Sequence, residues 1–276
     1  MLGRMQLPPV NDLPAPLWPA DWLLPQWSAP ASVRAFCTSR SGGVSAAPFY
    51  SLNLGNHVGD TPQAVHANRE QLQQILGVRP LFLDQVHGKE VHPVHQGSTD
   101  GLCADGSWTE EPGLACTVMV ADCLPILLCT TDGSRVAALH AGWRGLAGGP
   151  GADGCTTGIV ETFLKEQKTR GVEAAQWMAW LGPCIGPQAF EVGDEVRTAF
   201  MHSADSAQQA FMPHGPGKWL ADLALLARQR LQAAGVNQIF GNDSTAPWCT
   251  VGNPLRFFSH RRDRVSGRFA AGIWRV

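Results

Sequence analysis

Two histidines and one cysteine stand at the margins of apolar stretches, each next to a turn. His87 lies in the motif QVHG, Cys123 in ADC and His140 in HAGWRG. Two imidazoles and a thiolate suit zinc, and three protein ligands leave a fourth tetrahedral position for water or substrate. A lone histidine or cysteine beside a core strand is more often a packing residue. The wide spacing of the three is not a metal signature, so residue type alone makes them candidate ligands.

The elements that must position these residues are predicted around them. The stretch VADCLPILLCTTDGSRVAALHAGWRG, residues 120–145, predicts two buried strands joined by a short polar turn. Cys123 opens the first strand and His140 closes the second. Asp122 is the nearest carboxylate in sequence. It is a candidate proton carrier in catalysis, and equally a candidate partner that fixes a histidine tautomer.

Cationic side chains occur in several loops. The segment HAGWRGLAGGPG joins Arg144 to flexible backbone N–H groups that suit an anion, although its glycines are equally compatible with turns. Arg40, in TSRSGG, offers another cation. His57, in NLGNHVGD, is a candidate for contact with a polar substrate or a loop histidine that bonds backbone. The motif SHRRDR offers further cations for an anionic substrate, although its Arg261 and Arg262 are predicted to be mostly structural.

Composition and charge limit the possible functions. The 276 residues are 44% hydrophobic and 16% charged, which is typical of a globular protein, and the net charge of −2 gives no electrostatic case for nucleic acid or an anionic membrane. No secretory signal is recognisable, and the longest apolar run is interrupted by Asp122 and too short to span a bilayer. We therefore expect a cytoplasmic protein whose eight scattered cysteines are thiols.

Periodicity predicts one α/β domain with a mixed sheet. A helix is expected to start beside Asp60 or Thr61 and to end at Gly77, and others are expected in the regions of GIVETFLKEQ, GDEVRTAF and LADLALLARQRL. The closing residues, LRFFSHRRDRVSGRFAAGIWRV, alternate like two strands joined by a turn at Ser266-Gly267. Residues 1–30 hold seven prolines and are predicted to be an extended arm, pinned by its tryptophans, before a domain spanning residues 31–276.

Several motifs together resemble the YfiH-like family, whose members are called laccase-domain proteins, polyphenol oxidases or purine nucleoside phosphorylases. They are TSRSGGVSAAPFYSLNLGNHVGD, QVHG, TVMVADCLPILL, HAGWRG, LGPCIGPQAFEVGDEV and FFSHRRDRVSGRFAAGIW. The resemblance implies a single-domain αββα fold, with helices layered over two mixed sheets. It also implies a zinc site at His87, Cys123 and His140.

The resemblance further implies phosphorolysis of adenosine, inosine and methylthioadenosine, with adenosine deamination as a side activity. Purine nucleosides and phosphate are then the expected partners of a monomer or homodimer. Arg40, Asn53 and Arg144 are the expected substrate-binding residues, and Cys123, His140 and Asp122 the expected catalytic ones. The chain departs from the family pattern at PGADGCTT, an insertion over residues 150–157 that adjoins the expected site.

Two further hypotheses use the same residues. A cysteine hydrolase would use Cys123 as the nucleophile and His140 as its base, which suits a relative linked to the removal of misincorporated serine from peptidoglycan precursors. A copper-dependent polyphenol oxidase would add Met119 as a weak axial ligand. Laccase turnover needs several coppers, and the nine histidines include no H-x-H pair, which disfavours the oxidase.

Overall fold

The computed structural model of the protein describes residues 18–150 and 156–276. The strands of this part, in chain order, are β1 (Val33–Cys37), β2 (Arg79–Leu81), β3 (Leu83–Asp84), β4 (Val91–Pro93), β5 (Leu102–Cys103), β6 (Gly106–Thr109), β7 (Leu114–Val120), β8 (Leu124–Thr130), β9 (Val136–Ala141), β10 (Gly149–Pro150), β11 (Thr156–Thr157), β12 (Trp177–Leu181), β13 (Glu191–Gly193), β14 (Phe211–Gly215), β15 (Lys218–Ala221), β16 (Gln238–Gly241) and β17 (Phe269–Arg275).

The helices of the same part are fewer and shorter. They are α1 (Pro62–Leu76), α2 (Trp143–Ala147), α3 (Ile159–Thr169), α4 (Asp194–Met201), α5 (Leu223–Ala233) and α6 (His260–Asp263), with 3-10 turns at Ala174–Gln176, Asp205–Ala210 and Ala246–Trp248. The predicted first helix is confirmed. Its Gly77 stop has the left-handed φ of 68° that glycine adopts without strain. None of the described helices is long and apolar enough to cross a membrane.

Two large mixed sheets face each other and form the centre of the molecule. One has the order β1-β17-β7-β2 and the other β16-β12-β8-β9-β6-β4. Most neighbouring strands are antiparallel, whereas β2 with β7, β4 with β6, and β12 with β16 are parallel. A buried apolar cluster with members from β7, β17, β8, β9 and β12 fills the space between the two sheets.

Helices cover the outer face of each sheet. Leu72 and Leu76 of α1 pack with Phe36 and Met119 on the outer side of the four-stranded sheet. On the other side of the molecule, α3, α4 and α5 pack against the six-stranded sheet. The layers therefore run helix, sheet, sheet, helix, and the predicted single-domain αββα fold with mixed sheets is confirmed.

The middle position of β8 in this sandwich explains its sequence. Ile126 and Leu128 face the helices, while Leu127 and Cys129 face the other sheet. Every residue of the strand is buried. A strand that is covered on both faces reads as a continuous apolar run instead of alternating. The predicted hairpin of β8 and β9 forms, and Pro125 lies opposite His140 in its register.

The end of the chain differs from its prediction. The segment predicted as the first of two terminal strands contains the helical turn α6, and only β17 is a strand. Ser259 begins α6, because its hydroxyl accepts the N–H of Arg262. The side chain of Arg262 donates to the carbonyls of Thr250 and Phe257. These polar contacts stabilise a loop where the alternating pattern predicted a strand.

The predicted arm lies partly outside the described residues, since residues 1–17 are not among them. The three tryptophans predicted to pin it do contact the body. Trp22 is buried against Phe36, Trp18 packs on Trp274, and Trp27 packs against the cluster between the sheets. Residues 151–155 of the predicted insertion also lie outside the described residues. The ends of that insertion pair as β10 and β11.

Candidate metal centre and its cavity

His87, Cys123 and His140 meet at one corner of the sheet sandwich. Their ligand atoms all lie within 4.8 Å of one another. The two imidazole rings cross at 73°, with their centroids 4.8 Å apart. We call these three residues the ligand corner. It is the one group of histidine, cysteine and acidic side chains in the described residues that is close enough to hold a metal ion.

Each of the three side chains is positioned by a different backbone element. His140 is buried and lies near the end of β9, one of the two middle strands of the six-stranded sheet. Cys123 comes directly before β8 and follows Asp122, whose φ is 92°. His87 lies on the turn after β3, with a φ of 61°. Left-handed conformations of this kind cost energy for non-glycine residues and concentrate at functional sites.

A carboxylate that the sequence analysis did not single out connects two of these ligands. Asp105 Oδ1 lies 2.7 Å from His140 Nδ1 and accepts the N–H of His87 at 2.9 Å. Its Oδ2 accepts the N–H groups of Gly88 and Val86. Asp105 directly precedes β6, a strand that pairs with β9, and this pairing across the sheet is what no sequence motif revealed.

The predicted alternative role for Asp122, as the partner of a histidine, is wrong for the histidines of the ligand corner, because that role belongs to Asp105. Asp122 Oδ1 instead accepts the hydroxyl of Thr250 at 2.6 Å, and its Oδ2 accepts the N–H of Arg261 at 2.7 Å. Asp122 thus connects the beginning of β8 to the start of α6.

The electrostatics of the ligand corner favour a charged thiolate. Burial raises the pKa of Cys123, but the interactions with His140 and His87 outweigh burial and lower the pKa to about 6. Burial lowers the pKa of His140, but the charges of Cys123 and Asp105 outweigh it and raise the pKa to about 9. Cys123 therefore carries the negative charge that both a metal ligand and a nucleophile require.

The glycines of HAGWRG allow the residues of the ligand corner to pack closely together. A Cβ on Gly142 would lie 3.0 Å from Cys123 Sγ and 3.1 Å from the His87 ring. A Cβ on Gly145 would lie 2.4 Å from the carbonyl oxygen of Gly88. Both glycines thus permit close approach of the His87 turn. Residue types, proximity and this enclosure together fit a zinc ion, and they also fit copper.

A cavity of about 360 Å³ opens from the ligand corner. Part of its wall is apolar and includes Trp143, Phe190, Ile185 and Leu223. Its basic side chains, which we call the cationic rim after its four arginines, are His57, Arg144, His260, Arg261, Arg264 and Arg268. Among the described residues that line the cavity, Asp122 is the single carboxylate, and its hydrogen bonds are already made.

The cationic rim contains only some of the residues expected from sequence. Arg144 and His57 line the cavity as expected, and Arg261 lines it although it was predicted to be mostly structural. Arg261 also has structural contacts, since its guanidinium donates to the carbonyls of Ala189 and Glu191. His260 and Arg264, which belong to the motif SHRRDR, line the cavity as well, whereas Arg268 was not singled out from the sequence.

Two of the predicted substrate-binding residues lie away from the cavity lining. The guanidinium of Arg40 donates to the carbonyls of Tyr50 and Pro254 and stacks over Phe258. Asn53 is fully buried, and its Oδ1 accepts the N–H of Arg268. Neither residue is among the described residues that line the cavity; Asn53 holds the backbone of Arg268, and Arg40 holds the loop at Pro254.

Met119, the predicted axial ligand of a copper site, is oriented by other contacts. It lines the cavity and is 3% exposed, and the guanidinium of Arg69 lies 3.7 Å from its sulfur. Its backbone is clamped by Gln85, which accepts the N–H and donates to the carbonyl.

The fold and the site define a layered α/β protein in which three residues that could hold a metal ion border a cavity rich in arginine. A family model described as multi-copper polyphenol oxidoreductase laccase matches residues 34–276. A purine nucleoside phosphorylase of Pseudomonas aeruginosa is 50% identical over 92% of this chain and 98% of its own length. The purine nucleoside phosphorylase YfiH of Escherichia coli K12 is 46% identical over 92% of this chain and 98% of its own.

Two solved structures are also similar to this chain. A Neisseria meningitidis protein of 44% identity superposes with a TM-score of 0.83, covering 92% of this chain and 99% of its own. The YfiH protein of Bacillus licheniformis, at 31% identity, gives a TM-score of 0.80 over 88% of this chain and 93% of its own. The chain belongs to the YfiH-like family of laccase-domain proteins.

Proposed function

We propose that the protein is a zinc-dependent purine nucleoside phosphorylase. Its substrates are adenosine, inosine and methylthioadenosine with inorganic phosphate, and it deaminates adenosine as a side reaction. The observation that carries the proposal is that one cavity combines a three-residue ligand corner, an apolar wall and a cationic rim. Two of its relatives, from P. aeruginosa and E. coli, bear the name purine nucleoside phosphorylase, which supports the same conclusion.

Each part of the substrate has a matching part of the cavity. Trp143, Phe190 and Leu223 offer an apolar wall for the purine base. Arg144, Arg264 and the other members of the cationic rim suit the phosphate, because arginine presents two parallel N–H donors to an oxyanion. Arg40 and Asn53 contribute indirectly, by holding the loops of the rim.

The ligand corner would hold the zinc through His87, Cys123 and His140. A bound zinc supplies a Lewis acid beside the substrate. Asp105 forms a hydrogen bond with Nδ1 of His140. The other ring nitrogen, Nε2, is therefore the one available to the metal. Cys123 contributes its thiolate charge, and Gly142 lets Cys123 and His87 approach each other.

Other side chains of the cavity position groups and protons. Burial and the charges of Arg268 and Arg69 lower the pKa of His57, so its imidazole is neutral at pH 7 and can donate an N–H hydrogen bond to a purine nitrogen. Asp122 remains a candidate proton carrier from sequence. Its hydrogen bonds to Thr250 and Arg261 favour a role in orienting the cationic rim.

The cysteine hydrolase is the second candidate function, because one observation favours it. Cys123 and His140 form the thiolate–imidazolium pair that a cysteine nucleophile uses. The polyphenol oxidase is supported by the description of the matching family model, but the arrangement of the possible ligands does not favour it. The described residues contain one possible metal group, whereas a multi-copper oxidase needs several, and Met119 lies against Arg69.

The test combines metal analysis with a turnover screen. Purified protein is expected to bind about one zinc per chain. With adenosine and phosphate it should release adenine and ribose 1-phosphate, and with adenosine and water it should slowly release inosine and ammonia. The products are separated by chromatography. A chelator should suppress both reactions in parallel, and added zinc should restore them.

The same chelator experiment separates the two candidate functions. It is repeated with a serine-containing peptidoglycan precursor, the substrate of the cysteine hydrolase hypothesis. Activity of metal-free protein on any of these substrates would refute the zinc mechanism, because a hydrolase uses the free Cys123 thiolate. Zinc-dependent release of ribose 1-phosphate would refute the hydrolase as the main function, since a metal-bound thiolate is a poor nucleophile.

A further inference from the structure

The carboxylate of Asp105 is fully buried and has four hydrogen-bond partners. Its oxygens lie 2.7 Å from His140 Nδ1, and 2.9, 2.6 and 3.2 Å from the backbone nitrogens of His87, Gly88 and Val86. Two metal-ligand candidates from distant parts of the sequence are thus bound to the same side chain.

The three N–H groups come from consecutive residues, and this explains the shape of the turn. Successive N–H groups can all point at one anion only when the chain folds tightly around it. His87 has a left-handed φ of 61° within this turn. The carboxylate of Asp105 therefore supplies the partner around which the strained conformation of His87 forms.

The fourth partner is on another element. His140 belongs to β9, and its own backbone N–H donates to the carbonyl of Asp105 at 2.7 Å. The sheet register thus fixes Asp105 beside His140, and the side chain extends from there to the His87 turn. A Cβ on Gly88 would lie only 3.2 Å from Asp105 Oδ2, so the turn fits closely against the carboxylate.

We propose that Asp105 is the positioning residue of the metal site: it selects the ring nitrogen of His140 that faces the metal and it sets the His87 turn. Asp105 does not contact the metal or the substrate. This inference rests on the metal-binding part of the proposed function, and it does not depend on which reaction the site catalyses.

Asp105→Asn is the sharpest test, because it preserves size and removes one acceptor oxygen. The new NH₂ group must replace either Oδ1, which accepts from His140 Nδ1 and the His87 N–H, or Oδ2, which accepts from the N–H groups of Gly88 and Val86, so one pair of contacts is lost. We expect zinc affinity to fall about 10–100-fold, the usual effect of changing a group that orients a metal ligand. Competition with a chromophoric chelator measures the affinity without any substrate.

Asp132→Asn is the matched control. Asp132 Oδ1 also accepts a hydroxyl and a backbone N–H, from Thr130 and Ser134, but it lies in the β8–β9 turn and does not line the cavity. The zinc affinity of the Asp132→Asn variant should equal that of the unchanged protein. Zinc affinity of Asp105→Asn within twofold of that value overturns the proposal, as does an equal loss in both variants.

A measurement on the unchanged protein covers the case in which Asp105→Asn does not fold. Nitrogen-15 NMR of the zinc-loaded protein should find His140 protonated at Nδ1 and bound to zinc through Nε2. Zinc on Nδ1 overturns the proposal. If zinc binding behaves as expected but no nucleoside is cleaved, the proposed function fails while the role of Asp105 stands.

Discussion

The ligand corner and the cationic rim border the same cavity, but they are built differently. Cys123 and His140 of the corner adjoin central strands, and a buried carboxylate supports His140 and the His87 turn. The cationic rim consists mostly of loop and helix-turn residues, and Arg144, His260 and Arg264 are exposed. Under the proposed function, the buried supports of the corner would preorganise it for one ion, whereas the exposed arginines would adjust to an anionic substrate.

If the two regions divide their work in this way, a change in the corner should have the largest effect. Cys123→Ala removes the one charged ligand, so zinc affinity should fall more than about 100-fold, beyond the usual effect of an outer group. Phosphorolysis should be lost with it. Equilibrium dialysis and metal analysis measure the zinc.

Cys103→Ala is the control for that change, since Cys103 is an exposed thiol away from the cavity lining. Its zinc content should be unchanged. Circular dichroism should find both variants folded, because Cys123 is at the beginning of a strand and not in its apolar interior. Near-normal zinc in Cys123→Ala contradicts the ligand assignment.

A steric change behind the corner should have the next largest effect. In Gly145→Ala the new methyl group would lie 2.4 Å from the carbonyl oxygen of Gly88. Overpacking of this kind costs about 1–3 kcal/mol of unfolding free energy, and it should also shift the His87 turn and weaken zinc binding. Urea denaturation measures the stability. Gly149→Ala, with no atom of the described residues within 4 Å of the new Cβ, should retain both properties. Equal behaviour of the two variants argues against close packing of the turn.

A change in the cationic rim should leave the metal in place. Arg144→Gln removes one charge that lines the cavity, so the KM for phosphate should rise about tenfold, as expected for one charge-assisted hydrogen bond at an exposed site. Zinc content should stay the same. Steady-state kinetics at varied phosphate concentration measure the change.

Arg40→Gln sharpens the same comparison. It removes hydrogen bonds to the carbonyls of Tyr50 and Pro254, so it should lower the unfolding free energy by about 1–3 kcal/mol and leave the KM for phosphate unchanged. A tenfold rise in that KM would instead support the sequence-based assignment of Arg40 to the substrate.

Ionic strength should produce the smallest effect. The exposed charges of the cationic rim are screened by salt over about 8–10 Å at physiological concentrations. The KM for phosphate should therefore rise about two- to threefold between low and moderate salt, while zinc occupancy stays constant. A zinc occupancy that falls together with phosphate affinity would mean that the two regions are not separate.

Sequence determined the parts of this protein whose chemistry is local. The continuous apolar run of β8 predicted a strand covered on both faces, the stop at Gly77 predicted the end of α1, and residue types made His87, Cys123 and His140 candidate ligands. The motifs carried the family resemblance, which implied the αββα fold and the zinc site. These features depend on neighbours in the chain or on residue identity.

Tertiary structure alone decided which distant residues meet. Asp105 reaches His140 because β6 pairs with β9, and a sheet register is set by packing between strands that are far apart in sequence. The segment around α6 alternates like a strand but turns into the cavity, because Asp122 and Thr250 offer its polar groups better partners than a sheet edge. Arg40 and Asn53 carry the right chemistry for a substrate, but their side chains bond backbone groups and are not among the described residues that line the cavity.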